Sequence, residues 1–207
     1  MVDAATGLAD ASGLDALTMR RVAEALGVAP MTLYTYVPGK AELLDLMLDA
    51  AYTRMPRAST AGRPWRERLT AVVAENRELY RVHAWAAQIA TNRPVLGPGT
   101  MGKYEHELSA LDGLGLSDVE MDDALTYLLS FVQAWARTAA AQRPDDQAWW
   151  DESEPLLARV FDATAYPTAV RVGGAAGTAH GSAYAPEHAF RFGLARVLDG
   201  LAVLIEG

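Results

Sequence analysis

Residues 17–40 read LTMRRVAEALGVAPMTLYTYVPGK, and their spacing decides the fold. Thr18 fits an N-cap for a helix from about 19 to 26, and Gly27 stops it where a positive φ is needed. Pro30 suits the first turn of a third helix running to about Tyr36. Ala23 falls where the two helices touch, and a larger side chain there would push them apart. Val22, Leu26, Val28 and Leu33 are spaced to form the small core that fixes the interhelical angle. These are the requirements of a helix-turn-helix. With Val28 and Leu33 turned inward, Met31, Thr32, Tyr34, Thr35 and Tyr36 are left on the outward face. Tyr and Thr suit phosphate oxygens and thymine methyls. Arg20, at the start of the preceding helix, can reach a base edge or a phosphate, and Lys40 stands on the far side. A helical hairpin that packs without touching DNA is the competing reading.

Working outward, the rest of the chain also reads as helical. Strand signals are scarce, while Ala, Leu, Glu and Arg dominate. A first helix is expected near residues 3–12, ended at Ser12-Gly13, and a longer one at about 40–54 after Pro38-Gly39. The turn-like segment Met55–Arg63 marks a boundary. Pro64 opens a helix to about 81, followed by a shorter one around 83–91, a Pro/Gly loop over 92–100 and a helix over 101–112. Ser117-Asp118-Val119-Glu120 is a capping box. Behind it Met121, Leu125, Leu128, Val132 and Trp135 predict a long amphipathic helix to about 142. A helix over 153–162, a mobile loop over 164–185 and a last helix opened by Pro186 complete the expectation. Phe190, Leu194, Val197, Leu201 and Leu204 form the stripe of that last helix. The fold class is all-α, with a helix-turn-helix domain over 1–50 and a larger helical domain over 51–207.

Composition bounds the function. The chain has 207 residues, 51% hydrophobic, with no Cys and a formal charge of −8. The absence of Cys removes disulfides, thiolate metal sites and cysteine catalysis, and fits a reducing cytoplasm. No apolar run spans a bilayer, and MVDAATGLAD lacks the features of a signal peptide, so no membrane partner is expected. The acidic balance argues against nucleic-acid binding over the whole surface but not through a small patch. Charge is uneven: residues 54–93 carry eight Arg against three Glu, and 105–162 carry thirteen acids against three Arg. That second stretch reads as a solvated acidic face.

The segment LTMRRVAEALGVAPMTLYTYVPGKAELLDLML resembles the TetR family of bacterial transcriptional regulators, with the "LGV…TLY.YV..K..LL" pattern almost intact. The closing FRFGLARVLDGLAVLIEG is similar to the C-terminal helix of the tetracycline-repressor-like branch. The resemblance implies that Arg20, Thr32, Tyr34, Tyr36 and Lys40 face DNA. It places Pro30 and Met31 on the first turn of the recognition helix, where the family varies its base readers. Many members also carry a basic arm before the first helix, absent from the sequence given. The recognition helix holds no Arg, Gln or Asn, so specificity would rest on Arg20, thymine-methyl contacts and DNA shape.

Such a domain acts as a two-fold dimer on a palindromic double-stranded operator. The helices near 118–142 and 187–205 are the expected dimerising elements, with Phe131 and Phe192 off their main stripes. The middle of the chain interleaves Tyr80, Trp85, Tyr104, Tyr127, Phe131 and Trp135 with Asn76, Gln88, Asn92, Arg93 and Glu107. That mixture is what a pocket for a flat organic effector requires, although core packing explains any single aromatic. The resemblance implies an inducer pocket there, with the Asn92-Arg93-Pro94 loop close by, and repression as the default. An enzyme reading has little support, because the four His are scattered and neither a G-x-S-x-G elbow nor a phosphate loop is present. No metal or other cofactor is expected. His106, flanked by Glu105 and Glu107, reads as a solvated surface residue. A helical adaptor using 17–40 for protein contacts remains the third class.

Overall fold

In the computed structural model, helix follows helix, with no strand among the described residues, which are 1–89, 95–141, 146–160, 162–182 and 185–207. The elements are α1 (Val2–Ala16), α2 (Met19–Leu26), α3 (Pro30–Tyr34), α4 (Lys40–Arg54) and α5 (Trp65–Val82). A 3-10 turn (Ala84–Gln88) follows, then α6 (Pro98–Ser109), α7 (Asp118–Ala140), α8 (Asp146–Val160), α9 (Pro167–His180) and α10 (Pro186–Ile205). They form two compact units, Met1–Arg137 with Leu198–Gly207, and Thr138–Val197.

Local chemistry explains the boundaries. Thr18 accepts the Arg21 N–H at 3.2 Å and caps α2. Gly27 ends it in the left-handed region, at φ 67° and ψ 30°. The capping box forms: Ser117 N–H donates to Glu120 Oε2 at 2.8 Å, and Glu120 N–H reaches Ser117 Oγ at 3.4 Å. These bonds hold the Glu120 carboxyl below its ordinary pKa. Gly13 breaks the helical path at φ 77°, but α1 resumes beyond it to Ala16.

The first core gathers Ala5, Ala9, Leu17, Val22, Ala23, Leu33, Val37, Leu43 and Met47 from α1–α4 and continues into Trp85 and Ala86. Each large apolar side chain buried here contributes about 1.5–3 kcal/mol. Leu26 and Val28 are not part of it. They are 37% and 39% exposed, because Gly27 and Val28 turn their N–H groups back onto the Ala23 and Glu24 carbonyls. The chain leaves the core there, and Leu17, Val37 and Leu43 fill the place expected for them.

Further differences have equally local causes. The segment expected as a helix over 83–91 makes only the 3-10 turn before Ile89. Helix α6 begins at Pro98, inside the expected loop, and ends at Ser109. Helix α8 starts at Asp146 and carries Pro155 within it. Most of the loop expected over 164–185 is α9: Pro167 opens it, and Gly173, Gly174 and Gly177 need no positive φ. Only Gly181, the C-cap, takes the left-handed conformation, at φ 63°. Glycine content there signalled a bare helix face, not a turn.

Candidate nucleic-acid interface and effector region

The α2–α3 pair carries exposed polar and aromatic side chains. Leu33 is the only buried residue of α3, and it anchors the helix against α2. Around it Met31 and Tyr36 are 72% and 76% exposed, and Pro30, Thr32, Tyr34 and Thr35 are exposed as well. Thr35 Oγ1 donates to the Thr32 carbonyl at 2.6 Å. Arg20 lies on the exposed side of α2, its Nε 2.9 Å from Glu24 Oε1. That pair is fully solvated and weak, so it leaves the guanidinium available. Lys40 Nζ donates to the Leu14 carbonyl at 2.8 Å, and Arg21 Nη1 to the Ala16 carbonyl at 3.0 Å. Two cations thus sit on the C-terminal end of α1, where they match the negative pole of the helix.

Two groups of hydrogen bonds tie these helices to the rest of their unit. Asp49 of α4 accepts the backbone N–H of Thr100 at 2.8 Å and its hydroxyl at 3.1 Å, capping the first turn of α6. The approach is close: a Cβ on Gly99 would lie 2.0 Å from the Asp49 carbonyl oxygen and 2.5 Å from Thr53 Oγ1. On α1, Asp10 Oδ1 accepts the Trp85 indole N–H at 2.7 Å and stands 2.8 Å from His83 Nδ1.

Beyond α4 lies a buried polar cluster. Lys103 Nζ donates to both oxygens of Glu107 at 2.7 Å, and Asn76 Nδ2 donates to Glu107 Oε1 at 2.6 Å. Asn76 Oδ1 is enclosed and has no hydrogen-bond partner among the described residues. Lys103 Nζ stands 5.1 Å over the Tyr52 ring. Burial, then Tyr80 and Glu107, hold the Tyr52 phenol well above its ordinary pKa. Burial and Glu107 push Tyr80 up to about 12 against the opposing pull of Arg137. Both phenols are neutral at physiological pH. Nearby, the Arg77 guanidinium lies 4.3 Å from the Trp135 ring centre.

Two family profiles match the chain. "Bacterial regulatory proteins, tetR family" covers residues 1–47, and "Tetracyclin repressor-like, C-terminal domain" covers 58–205. The chain belongs to the TetR family. It is 37% identical to the HTH-type transcriptional repressor DrrR1 of Streptomyces coeruleorubidus, over 99% of this chain and 77% of that one. An HTH-type transcriptional regulator of Saccharopolyspora erythraea is 31% identical over 72% of this chain and 63% of its own length. Among solved structures, ActR of Streptomyces coelicolor in complex with actinorhodin superposes with a TM-score of 0.85 at 29% identity, covering 100% of this chain and 96% of that one. ActR in complex with (S)-DNPA gives 0.81 at 29% identity, covering 98% and 95%.

In this TetR-family DNA-binding transcriptional regulator, each residue expected to face DNA is exposed to solvent. The residues expected around an effector are more dispersed. Asn76, Tyr80 and Glu107 come together, and Phe131 and Trp135 are half-buried on α7. Trp85 is buried in the first core, with its N–H committed to Asp10. Gln88 and Tyr127 are exposed, and Tyr104, also exposed, donates to Asp122 Oδ1 at 2.7 Å. Asn92 and Arg93 lie outside the described residues. His106 is not the solvated residue expected. It is half-buried, its Nε2 2.8 Å from Glu75 Oε2, because Glu75 also accepts the Ala58 N–H and is drawn inward. Lys103, Tyr52 and Arg77 escaped the sequence reading. The i,i+4 spacing of Lys103 and Glu107 was the one available signal, and it usually marks a solvated pair.

Proposed function

We propose that this TetR-family regulator is a homodimeric repressor, released from a palindromic operator by a small aromatic effector. The reading head comprises residues 1–50 and the effector and dimerisation part residues 51–207. Arg20, Pro30, Met31, Thr32, Tyr34, Thr35, Tyr36 and Lys40 contact the operator. The observation that carries the DNA reading is the solvated face of α3, where large aromatic groups stand exposed around one buried anchor. Idle solvent contact gives no reason for such groups, whereas phosphates and thymine methyls do.

The effector binds among α5, α6 and α7, within reach of Asn76, Tyr80, Glu107, Phe131 and Trp135. Asn76 Oδ1 supports this, since an enclosed acceptor without a partner favours a ligand that brings a donor such as a phenol. The neutral phenols of Tyr52 and Tyr80 and the charge-balanced Lys103–Glu107 pair make the surroundings polar without net charge. ActR, in complex with actinorhodin and with (S)-DNPA, supports an aromatic, polyketide-like class. Effector binding acts through a difference in affinity for two states, one fit for the operator. The Asp49–Thr100 cap supplies a direct mechanical connection from α6 to α4.

Dimerisation through α7 and α10 is supported by apolar side chains left in solvent on both: Tyr127 on α7, and Phe192, Val203 and Leu204 on α10. A DNA-binding repressor of this kind works in the cytoplasm. The test is titration of the purified protein with actinorhodin as first probe, followed by Trp fluorescence and by release of the DNA flanking its own gene. Saturable binding with release supports the proposal; binding without change in operator affinity refutes the effector half.

A further inference from the structure

Of the four histidines, two are committed to carboxylates. His83 Nδ1 stands 2.8 Å from Asp10 Oδ1, and His106 Nε2 stands 2.8 Å from Glu75 Oε2. The other two meet each other. The ring centres of His180 and His188 are 4.5 Å apart, with the planes tilted by 47°. Both residues are exposed, and neither ring makes a hydrogen bond or ion pair among the described residues. Eight positions apart in sequence, they match no local metal motif; the fold alone brings them together.

His180 is the last residue of α9, and His188 lies in the first turn of α10, both within the unit Thr138–Val197. Gly181 ends α9 in the left-handed conformation, and Pro186 opens α10, so neither helix boundary calls for an imidazole. Nor does the helix field. The negative pole of α9 favours a positive charge, and the positive pole of α10 opposes it. Two charged imidazoles in contact repel each other. Unprotonated, each offers a nitrogen lone pair, and imidazole is the commonest protein ligand for a metal ion.

The ring separation selects the ion. Imidazole nitrogens bind transition metals at about 2.0–2.1 Å, so two rings at a right angle on one ion have centres about 4.5 Å apart, and at a tetrahedral angle about 5.2 Å. The observed separation matches the right angle. Right-angled nitrogen ligands belong to the square-planar and tetragonal sites of Cu²⁺ and Ni²⁺, whereas Zn²⁺ favours the tetrahedron. No third His, Asp or Glu joins the pair among the described residues, so water completes the coordination. We propose that His180 and His188 form a two-imidazole site for Ni²⁺ or Cu²⁺ that clamps the end of α9 to the start of α10. This assignment does not depend on the operator or effector reading.

Isothermal titration of the untagged full chain with NiCl₂, and with ZnCl₂ for comparison, tests it. One Ni²⁺ should bind per chain at micromolar concentration, at least tenfold more tightly than Zn²⁺. Cu²⁺ should give an electron paramagnetic resonance spectrum split by two imidazole nitrogens. H180A and H188A should each weaken Ni²⁺ binding tenfold or more and leave the metal-free thermal midpoint unchanged, since both residues are exposed. Ni²⁺ should raise the thermal midpoint of the parent chain by mass action on the folded state, and that of neither variant. Failure of Ni²⁺ to bind, binding unaltered in either variant, a preference for Zn²⁺, or one ion shared by two chains overturns the proposal.

Discussion

Asp49 and Thr100, 51 residues apart in sequence, join α4 to α6 through two hydrogen bonds to a single carboxylate oxygen. The carboxylate both caps the N-terminus of α6 and fixes its distance from α4. Asp49→Ala should cost about 1 kcal/mol in stability, as loss of a helix cap does, while Asp49→Asn should cost only a few tenths. Urea denaturation measures both. The coupling role further requires that Asp49→Ala blunt actinorhodin-driven operator release more than it weakens operator binding.

The same contact sets a steric limit. Gly99→Ala places a methyl 2.0 Å from the Asp49 carbonyl oxygen and 2.9 Å from the Thr53 backbone nitrogen, where no flexible side chain can give way. A loss of about 3 kcal/mol is expected, the upper part of the range for overpacking. Gly7→Ala in α1 is the control, since its methyl meets nothing within 4 Å. It should leave stability unchanged or raise it by up to about 1 kcal/mol. Thermal midpoints of the two variants should therefore move in opposite directions.

The buried Lys103–Glu107 pair gives a prediction about charge. Lys103→Met strands the Glu107 carboxylate with Asn76 as its remaining donor among the described residues, and a loss of about 3–5 kcal/mol is expected. The double variant Lys103→Met/Glu107→Leu removes both charges and should recover most of that loss. A double variant as unstable as the single one would show that the pair stabilises on its own account.

Alkaline pH should weaken the fold through the buried phenols. The Tyr80 pKa is raised from an ordinary 10.0 to about 12, so the folded state keeps a proton that the unfolded chain loses. Its contribution is complete below pH 10 and is lost as pH rises toward 12, to a total of roughly 3 kcal/mol. Tyr52 acts in the same direction. Urea midpoints should fall between pH 9 and pH 11, and Tyr80→Phe should shallow that fall.

What the sequence disclosed was local. Thr18, Gly27 and the Ser117–Glu120 box were legible because each acts within one turn of its own helix. Leu26 and Val28 misled because periodicity assigns a face but cannot foresee that a C-cap lifts the chain off the core. Glycine enrichment over 164–185 looked like a loop, since composition does not distinguish a turn from a bare helix face. The Asp49–Thr100 cap and the Asn76–Glu107 bond join residues whose partnership depends on which helices meet. The exposed α2–α3 surface was readable because it lies on one short segment; the buried Asn76–Glu107 cluster, drawn from separate helices, was only partly so.

The central claim is that the exposed face of α3 reads an operator. Fluorescence anisotropy with the DNA flanking the protein's own gene tests it most directly, using Tyr34→Ala and Tyr36→Ala beside the parent chain at rising salt. Both side chains are solvent-exposed, so urea midpoints should stay within about 0.5 kcal/mol of the parent. The account predicts specific, salt-weakened binding by the parent and a loss of tenfold or more in each variant. Undiminished affinity in both variants, or no specific binding by the parent at low salt, would contradict it.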